Sequence, residues 1–481
     1  MENSQQHVNN GQRKGIGIIG LAGLVVGSAI GGGVFGIMAD LSGSAPGPAL
    51  FAWLLVGVAM LALSLSINNL IRKRPDLEGG MFGYAQAGFG KFSGFVSGWG
   101  YWITCWLGNV AFAMLLMSAI GYFIPVFEGG QNIPSVIFAT VVLWFMAYLV
   151  NRGVENASVL NAIATFAKLV PLFIFILVSI IFFDSNVFFQ NFSGSNMVDA
   201  AGVTVSFKDQ VLSCIMVMLW VFVGIEGASV VGSRAKKKSD VGKATVLGLI
   251  GLLVVYMLAS MLPFGVLSQT DLQTISRQPA MGYVFELMVG KWGGILINVG
   301  LIISLLGVWL SWTILPSETM QSMANNGLLP KKWGKLNKNG APTNALILTT
   351  IVTNIFILTV SFTDKAYNFA YTLGTVSIFM TWLFLGLFQM KISYEDRNWG
   401  QLVIGLIASA FQIWAIVFIA LKDMFIVLMM YLPGIYFFYK AQKEAGLKEA
   451  FPGKDKFLAI GLGVCGVLAI VLFFTGVLSI Q

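Results

Sequence analysis

Two stretches of this chain hold residue types that could do chemistry within otherwise apolar sequence. The first reads Gly27-Ser28-Ala29-Ile30-Gly31-Gly32-Gly33-Val34-Phe35. Three consecutive glycines inside a helix cost about 1 kcal/mol each relative to alanine. At membrane depth, irregular backbone is tolerated only where it lines a cavity or is buried in protein. Two readings fit: close helix packing through small residues, or a broken helix whose freed N–H groups face a ligand. The second stretch, Trp220-Val221-Phe222-Val223-Gly224-Ile225-Glu226-Gly227-Ala228-Ser229, sets two glycines around a carboxylate deep in an apolar run. An acid at such depth is costly and marks a functional candidate. The bland alternative is a hydrogen bond that caps a broken helix, and one residue can serve both ends. A half-helix N-terminus presents N–H groups and the positive end of the helix dipole, so it favours an anion. A free carboxylate is the obvious ligand, which points to amino acids.

Reactive side chains are scarce. The one histidine, His7, lies in the polar tail before the first apolar run, which excludes a buried histidine relay. Cys105, Cys214 and Cys465 each sit inside an apolar run, and their odd number argues against a disulfide framework. No nucleophile–base pair and no metal-ligand set has sensible spacing, so we expect no enzyme, no metal and no cofactor. No ring of pore charges and no signalling domain is visible, which disfavours a channel or a sensor.

The elements that must position these residues follow from composition. The 481-residue chain is 57% hydrophobic and 10% charged, against about 25% charge in soluble proteins. Thirteen apolar runs of spanning length lie near 15–39, 48–71, 92–125, 134–151, 158–183, 209–231, 243–268, 292–323, 343–363, 366–390, 400–421, 423–440 and 457–480. The first run is longer than a signal-peptide core, without a convincing cleavage site, and reads as a retained helix. The eleventh and twelfth are split only by Lys422 and Asp423, so two or three helices follow the tenth. The longest connection, near 184–208, is polar. The formal charge of +8 fits basic cytoplasmic loops rather than nucleic-acid binding. With the amino terminus inside, alternating sides puts Arg72, Lys73, Arg74 and Lys91, then Arg234, Lys236, Lys237 and Lys238, then Lys331, Lys332, Lys335 and Lys338 on the inner face. The outer face keeps only Lys208, Arg277, Lys291, Lys365 and Lys422. The expectation is a multi-pass protein of the cell membrane. Its parts are a cytoplasmic tail (1–14), a ten-helix core (15–390) and additional helices (391–481). The oligomeric state is not legible.

The two glycine-broken runs are the first and the sixth, so each opens a block of five. Transporters built from inverted repeats break those helices. The residues carry a resemblance that covers nearly the whole length. Gly27-Ser28 with Gly31-Gly32-Gly33-Val34-Phe35, then Pro75-Asp76-Leu77-Glu78-Gly79-Gly80 with Tyr84, Gly88, Phe89 and Gly90, are two of its motifs. Gly98-Trp99-Gly100-Tyr101-Trp102 and Cys105-Trp106-Leu107-Gly108-Asn109 are a third. Val221 to Ser229, followed by Ser233-Arg234-Ala235 and Ser239-Asp240-Val241-Gly242-Lys243-Ala244-Thr245, is the most specific. Together they resemble the amino acid–polyamine–organocation transporters, most closely the arginine/ornithine antiporter group.

The resemblance implies an all-α polytopic membrane protein with the LeuT-type inverted five-plus-five repeat. It implies that backbone of Gly32 and Gly33 holds a substrate carboxylate, and that carbonyls around Trp220, Val223 and Gly224 hold the α-amino group. Cys105 and Asn109 match pocket positions of the third helix, and Thr375 matches one of the tenth. Trp220 and Trp312 match aromatic positions that cover the substrate side chain; the alternative is a place in an interfacial belt. Lys168 matches a lysine that stands in for a sodium ion, where the alternative is snorkelling. Glu226 is the coupling or gating candidate, and Glu318 reads as a structural partner for a loop lysine. Gly36-Ile37-Met38 replaces the group's Leu-Pro segment. Thr375-Val376-Ser377-Ile378-Phe379-Met380-Thr381-Trp382 lacks its usual proline, and Pro316 lies one turn beyond Trp312. Exchange of an external amino acid for an internal metabolite is therefore expected, of arginine/ornithine or histidine/histamine type. A proton-coupled importer of the same fold is the alternative.

Overall fold

The structure is a computed structural model that describes residues 18, 26, 30–77, 80–153, 157–198, 202–225, 238–275, 279–359 and 366–478. Side chains of 157–165, 238–242, 270, 273 and 274 fall outside the description. All regular structure among the described residues is helical, apart from one isolated bridge between Val198 and Thr204.

The first block begins with α1 (Gly33–Leu41), α2 (Pro46–Lys73), α3 (Met81–Phe89) and α4 (Lys91–Gly121). It continues with α5 (Ile133–Asn151) and α6 (Ala157–Ile181), and the short α7 (Ser185–Phe189) lies in the connection to the second block. That block holds α8 (Phe207–Trp220), α9 (Lys238–Met261), α10 (Gln269–Thr274), α11 (Ala280–Val289), α12 (Lys291–Asn325), α13 (Thr343–Thr359) and α14 (Ala366–Glu395). Three helices complete the chain: α15 (Trp399–Phe418), α16 (Leu421–Glu444) and α17 (Lys454–Phe474). Among the described residues, nine helices are long and apolar enough to cross a membrane. The expected split near residue 422 falls at Ile419 and Ala420, so the eleventh and twelfth runs are separate helices.

The two blocks repeat the same order, and the match reaches single residues. α3 and α11 are nine- and ten-residue helices, too short to span, that run directly into the long α4 and α12. At each junction the chain reads Gly-Lys, at Gly90-Lys91 and Gly290-Lys291. Both glycines take positive φ, 104° and 86°, a region that other residues avoid, and this lets a short helix reverse into a long one without a linker. The short helices lie in segments that the hydropathy runs leave as connections, because at about 1.5 Å per residue they cannot cross a bilayer. The same order in both blocks is what the inverted-repeat arrangement of such transporters gives.

Burial fixes the centre. In α4, 94% of the most apolar window is buried inside the protein, against 28% in α15 and 22% in α17. α4 packs on α12 and α14, and its indoles are bonded across helices, with Trp102 Nε1 donating to Thr349 Oγ1 at 2.9 Å. α16 joins this core through Tyr431, whose hydroxyl donates to the Val96 carbonyl at 3.0 Å. α15 and α17 present apolar side chains outward, as lipid-facing helices do.

Candidate functional site

The first and sixth runs are both interrupted where glycines collect. A helical bond joins Ile30 N–H to the Val26 carbonyl at 3.0 Å, then Gly31 and Gly32 leave the helix and α1 starts at Gly33. α8 ends at Trp220, and residues 221–224 form turns in which Gly224 has φ 110°. The two breaks face each other: a Cβ on Gly33 would lie 3.0 Å from the indole of Trp220 and from Val221 Cγ1. The described backbone hydrogen bonds do not use the N–H groups of Gly31, Gly32, Gly33 or Val34. The start of a helix leaves such donors without intrahelical acceptors.

Between these breaks lies a narrow cavity of about 20 Å³, room for about one water, lined by Gly31, Gly33, Val34, Phe112, Trp220, Val221, Val223, Val308 and Trp312. This is well below the about 300–1,000 Å³ of small-molecule sites, so these residues are closed on one another in this conformation. No charged side chain lines it. Its walls are aromatic. Trp220 and Trp312 meet at 65° with centroids 6.0 Å apart, and Phe112 stands edge-on to Trp312 at 5.1 Å. Such a box offers π faces to a cation or a flat ring, while the start of α1 offers a positive dipole end to an anion.

The three adjacent glycines have three different surroundings. A Cβ at Gly31 would meet nothing within 4 Å, so its missing side chain faces open space at the cavity. At Gly32 a Cβ would lie 2.6 Å from Leu305 Cδ2 and 2.9 Å from Leu115 Cδ2. Close packing through small residues therefore accounts for Gly32, and it does not line the cavity. Gly33 does both, lining the cavity and taking the Trp220 edge.

Of the other expected residues, Trp220, Val223 and Trp312 line the cavity, whereas Cys105, Asn109, Gly224 and Thr375 do not. Both tryptophans are buried among helices, which places them in the core and not in an interfacial belt. The Trp220 carbonyl accepts the Val223 N–H at 3.0 Å, so it is used by the turn. The Thr375 hydroxyl donates to the Tyr371 carbonyl of its own helix at 2.8 Å. Lys168 is buried, 1% exposed, on α6 where that helix packs against α12, so it does not snorkel. Glu226 lies outside the described residues. Glu318 lines a separate cavity with Arg152 and Lys338. In the signature loop, Arg74 pairs with Asp76 at 2.8 Å, and that hydrogen bond holds the Asp76 carboxyl below its ordinary value.

Asn109 acts one step behind the wall. Pro316 has no N–H, so the Trp312 carbonyl four residues earlier loses its helical donor. Asn109 Nδ2 supplies the bond instead, at 2.8 Å. Its neighbour Gly108 seats the ring: a Cβ there would lie 2.5 Å from Trp312 Cζ3 and 3.2 Å from Trp220 Cη2. The Gly108-Asn109 pair thus fixes both the backbone and the ring of Trp312. Sequence reasoning missed Phe112, Val34, Val221 and Val308 as lining residues, because apolar residues in a membrane helix carry no local mark of which face is wet. It also passed over Asp40, the residue after the first run.

The comparisons bear directly on this arrangement. A family model described as "Amino acid permease" matches residues 16–452. The chain belongs to the amino acid permease family. Membership makes this permease a multi-pass membrane transporter and not an enzyme. It is similar to an arginine/ornithine antiporter of Latilactobacillus sakei, 50% identical over 95% of this chain and 96% of the relative. It is 37% identical to an arginine/ornithine antiporter of Pseudomonas aeruginosa, over 96% of this chain and 97% of the relative. An arginine/agmatine antiporter of Chlamydia pneumoniae is 36% identical over 97% of this chain and 98% of that protein.

Proposed function

We propose that this permease is an obligate exchanger that admits an external cationic amino acid and releases an internal metabolite of it, with arginine and ornithine as the first pair. The observation that carries this is the full-length similarity, at 50% identity, to a protein named for that exchange. The site supports it. An uncharged cavity with aromatic walls beside a helix start suits a substrate with a carboxylate at one end and a delocalised cation at the other.

In this reading the N–H groups of Gly32 and Gly33 take the carboxylate, with Gly32 acting through its backbone while its Cα face packs on leucines. Carbonyls near Val223 and Gly224 take the α-amino group, and Trp220 and Trp312 cover the side chain. Cys105, Asn109 and Thr375 support the wall from behind, and Glu226 and Lys168 serve coupling between the blocks. Alternating access arises as one bundle rocks against the rest around the site. The core of 15–390 carries exchange, the helices of 391–481 brace it, and the amino terminus is cytoplasmic in the plasma membrane.

Charge gives the test. Arginine and ornithine both carry +1, so their exchange moves no net charge. Histidine, with an imidazole pKa of about 6.5, is mostly neutral at pH 7, while histamine is +1, so that exchange responds to voltage. Purified protein is placed in liposomes loaded with ornithine, histamine or nothing, and labelled arginine and histidine uptake is followed with and without a membrane potential. We expect voltage-insensitive arginine uptake into ornithine-loaded vesicles only. Voltage-sensitive histidine uptake into histamine-loaded vesicles would reassign the pair. Uptake into empty vesicles driven by a proton gradient would replace exchange by import.

A further inference from the structure

α1 carries a carboxylate that the exchange reading does not use. Asp40 follows Gly33 by seven residues, so the two fall on one face of α1, about 10.5 Å apart along its axis. One oxygen of Asp40 accepts hydrogen bonds from Asn368 Nδ2 at 2.8 Å and from the Tyr371 hydroxyl at 3.0 Å. The other, Oδ2, is buried and has no hydrogen-bond partner. Among the described residues, no cationic side chain lies within ion-pair distance of Asp40.

Aromatic contacts connect this group to the cavity. The Tyr371 ring stacks on Trp220 with centroids 6.1 Å apart and planes at 26°, and Trp220 in turn meets Trp312. Asp40 therefore sits one aromatic layer from the cavity, toward the face where α1 ends and α8 begins. Those ends are tied by the Ala45 N–H, which donates to Gln210 Oε1 at 3.1 Å. A half-bonded buried carboxylate is unfavourable unless a cation completes it or a proton neutralises it, and the cavity has no charged lining residue of its own.

We propose that Asp40, held by Asn368 and Tyr371, is a binding subsite for the ammonium or guanidinium group of a cationic substrate on its way to or from the tryptophan-walled cavity. This rests on the reading of the protein as an amino-acid exchanger. The two existing hydrogen bonds orient the carboxylate, and the unpartnered oxygen receives the cation. The tyrosine and tryptophan rings between subsite and cavity give a moving cation π faces along its path.

The test separates charge from architecture. Asp40→Asn keeps an oxygen to accept from Asn368 and Tyr371 and removes only the charge, and Asp40→Glu restores it. Binding of labelled agmatine, a cation without a carboxylate, and of citrulline, an amino acid with an uncharged side chain, is measured by equilibrium dialysis on full-length protein in detergent. We expect Asp40→Asn to weaken agmatine by about tenfold or more, as for a lost hydrogen bond to a charged group. Citrulline should be unchanged, and Asp40→Glu should recover part of the loss. Equal weakening of both ligands would make Asp40 a latch between α1 and α14 and overturn the subsite. Unchanged agmatine binding, or wild-type protein that does not bind agmatine, would overturn it too. Failure of the exchange reading shows elsewhere, as arginine uptake by vesicles with nothing to trade.

Discussion

Replacing Gly31 by alanine separates the two explanations of the triple glycine. The new methyl group would meet no atom within 4 Å in the protein itself. Folding should therefore be unharmed, and the stiffer unfolded chain should leave stability level or raised by about 0.4–1 kcal/mol. The methyl projects at a wall of the cavity, so a bound substrate must give way to it. Overfilling a packed site by a methyl group costs about 1–3 kcal/mol. At 1.4 kcal/mol per decade this is an affinity loss of about 5- to 150-fold. The neighbouring substitution behaves in the opposite sense. Gly32→Ala drives a methyl to 2.6 Å from Leu305 Cδ2. Because leucine ends can yield, it should destabilise by about 1 kcal/mol, the low end of overpacking. The assay pairs thermal unfolding of detergent-purified protein with the concentration dependence of exchange in liposomes. A Gly31→Ala protein that unfolds early, or that exchanges with unchanged apparent affinity, would refute the assignment of Gly31 to the cavity wall.

Gly108→Ala should cut exchange at least as strongly, because the methyl would overlap the Trp312 ring, a rigid group that cannot yield as a leucine does; normal exchange with Trp312 in place would contradict this. Asn109→Ala should destabilise by about 1–3 kcal/mol by leaving the Trp312 carbonyl unpaired. Pro316→Ala restores a helical donor to that carbonyl, so the double variant should recover much of the loss. A double-mutant cycle with no coupling in unfolding midpoints would sink the account. Asp396→Asn removes an ion pair with Lys73 whose side chains are 41% and 49% exposed, and it should shift stability by less than about 1 kcal/mol, checked by the same melts.

The thirteen apolar runs follow from local chemistry alone, since each helix must satisfy its own backbone in lipid and each span needs a run of minimum length. The breaks at Gly31-Gly32 and after Trp220 were legible for the same reason, as glycines weaken a helix wherever it sits. The short helices α3 and α11 were not, because they are held by packing on neighbouring helices, not marked by a hydrophobic length. The Gly-Lys junction at both positions was printed in the chain two hundred residues apart, but its meaning needed the positive φ at Gly90 and Gly290.

The sequence by itself determined a polytopic helical protein, two broken helices and the family motifs that mark them. Tertiary structure alone decided which face of each helix meets the cavity. Gly31 opens on empty space while Gly32 packs on leucines, though the two are adjacent and identical in type. Asn109 serves Trp312 across a separation of 203 residues, and Asp40 finds Asn368 and Tyr371 across more than 320. In an apolar chain the hydrophobic pattern says how deep a residue lies and says almost nothing about which neighbour it faces. Lipid and protein interior are nearly alike to a methyl group, and only packing between helices tells them apart.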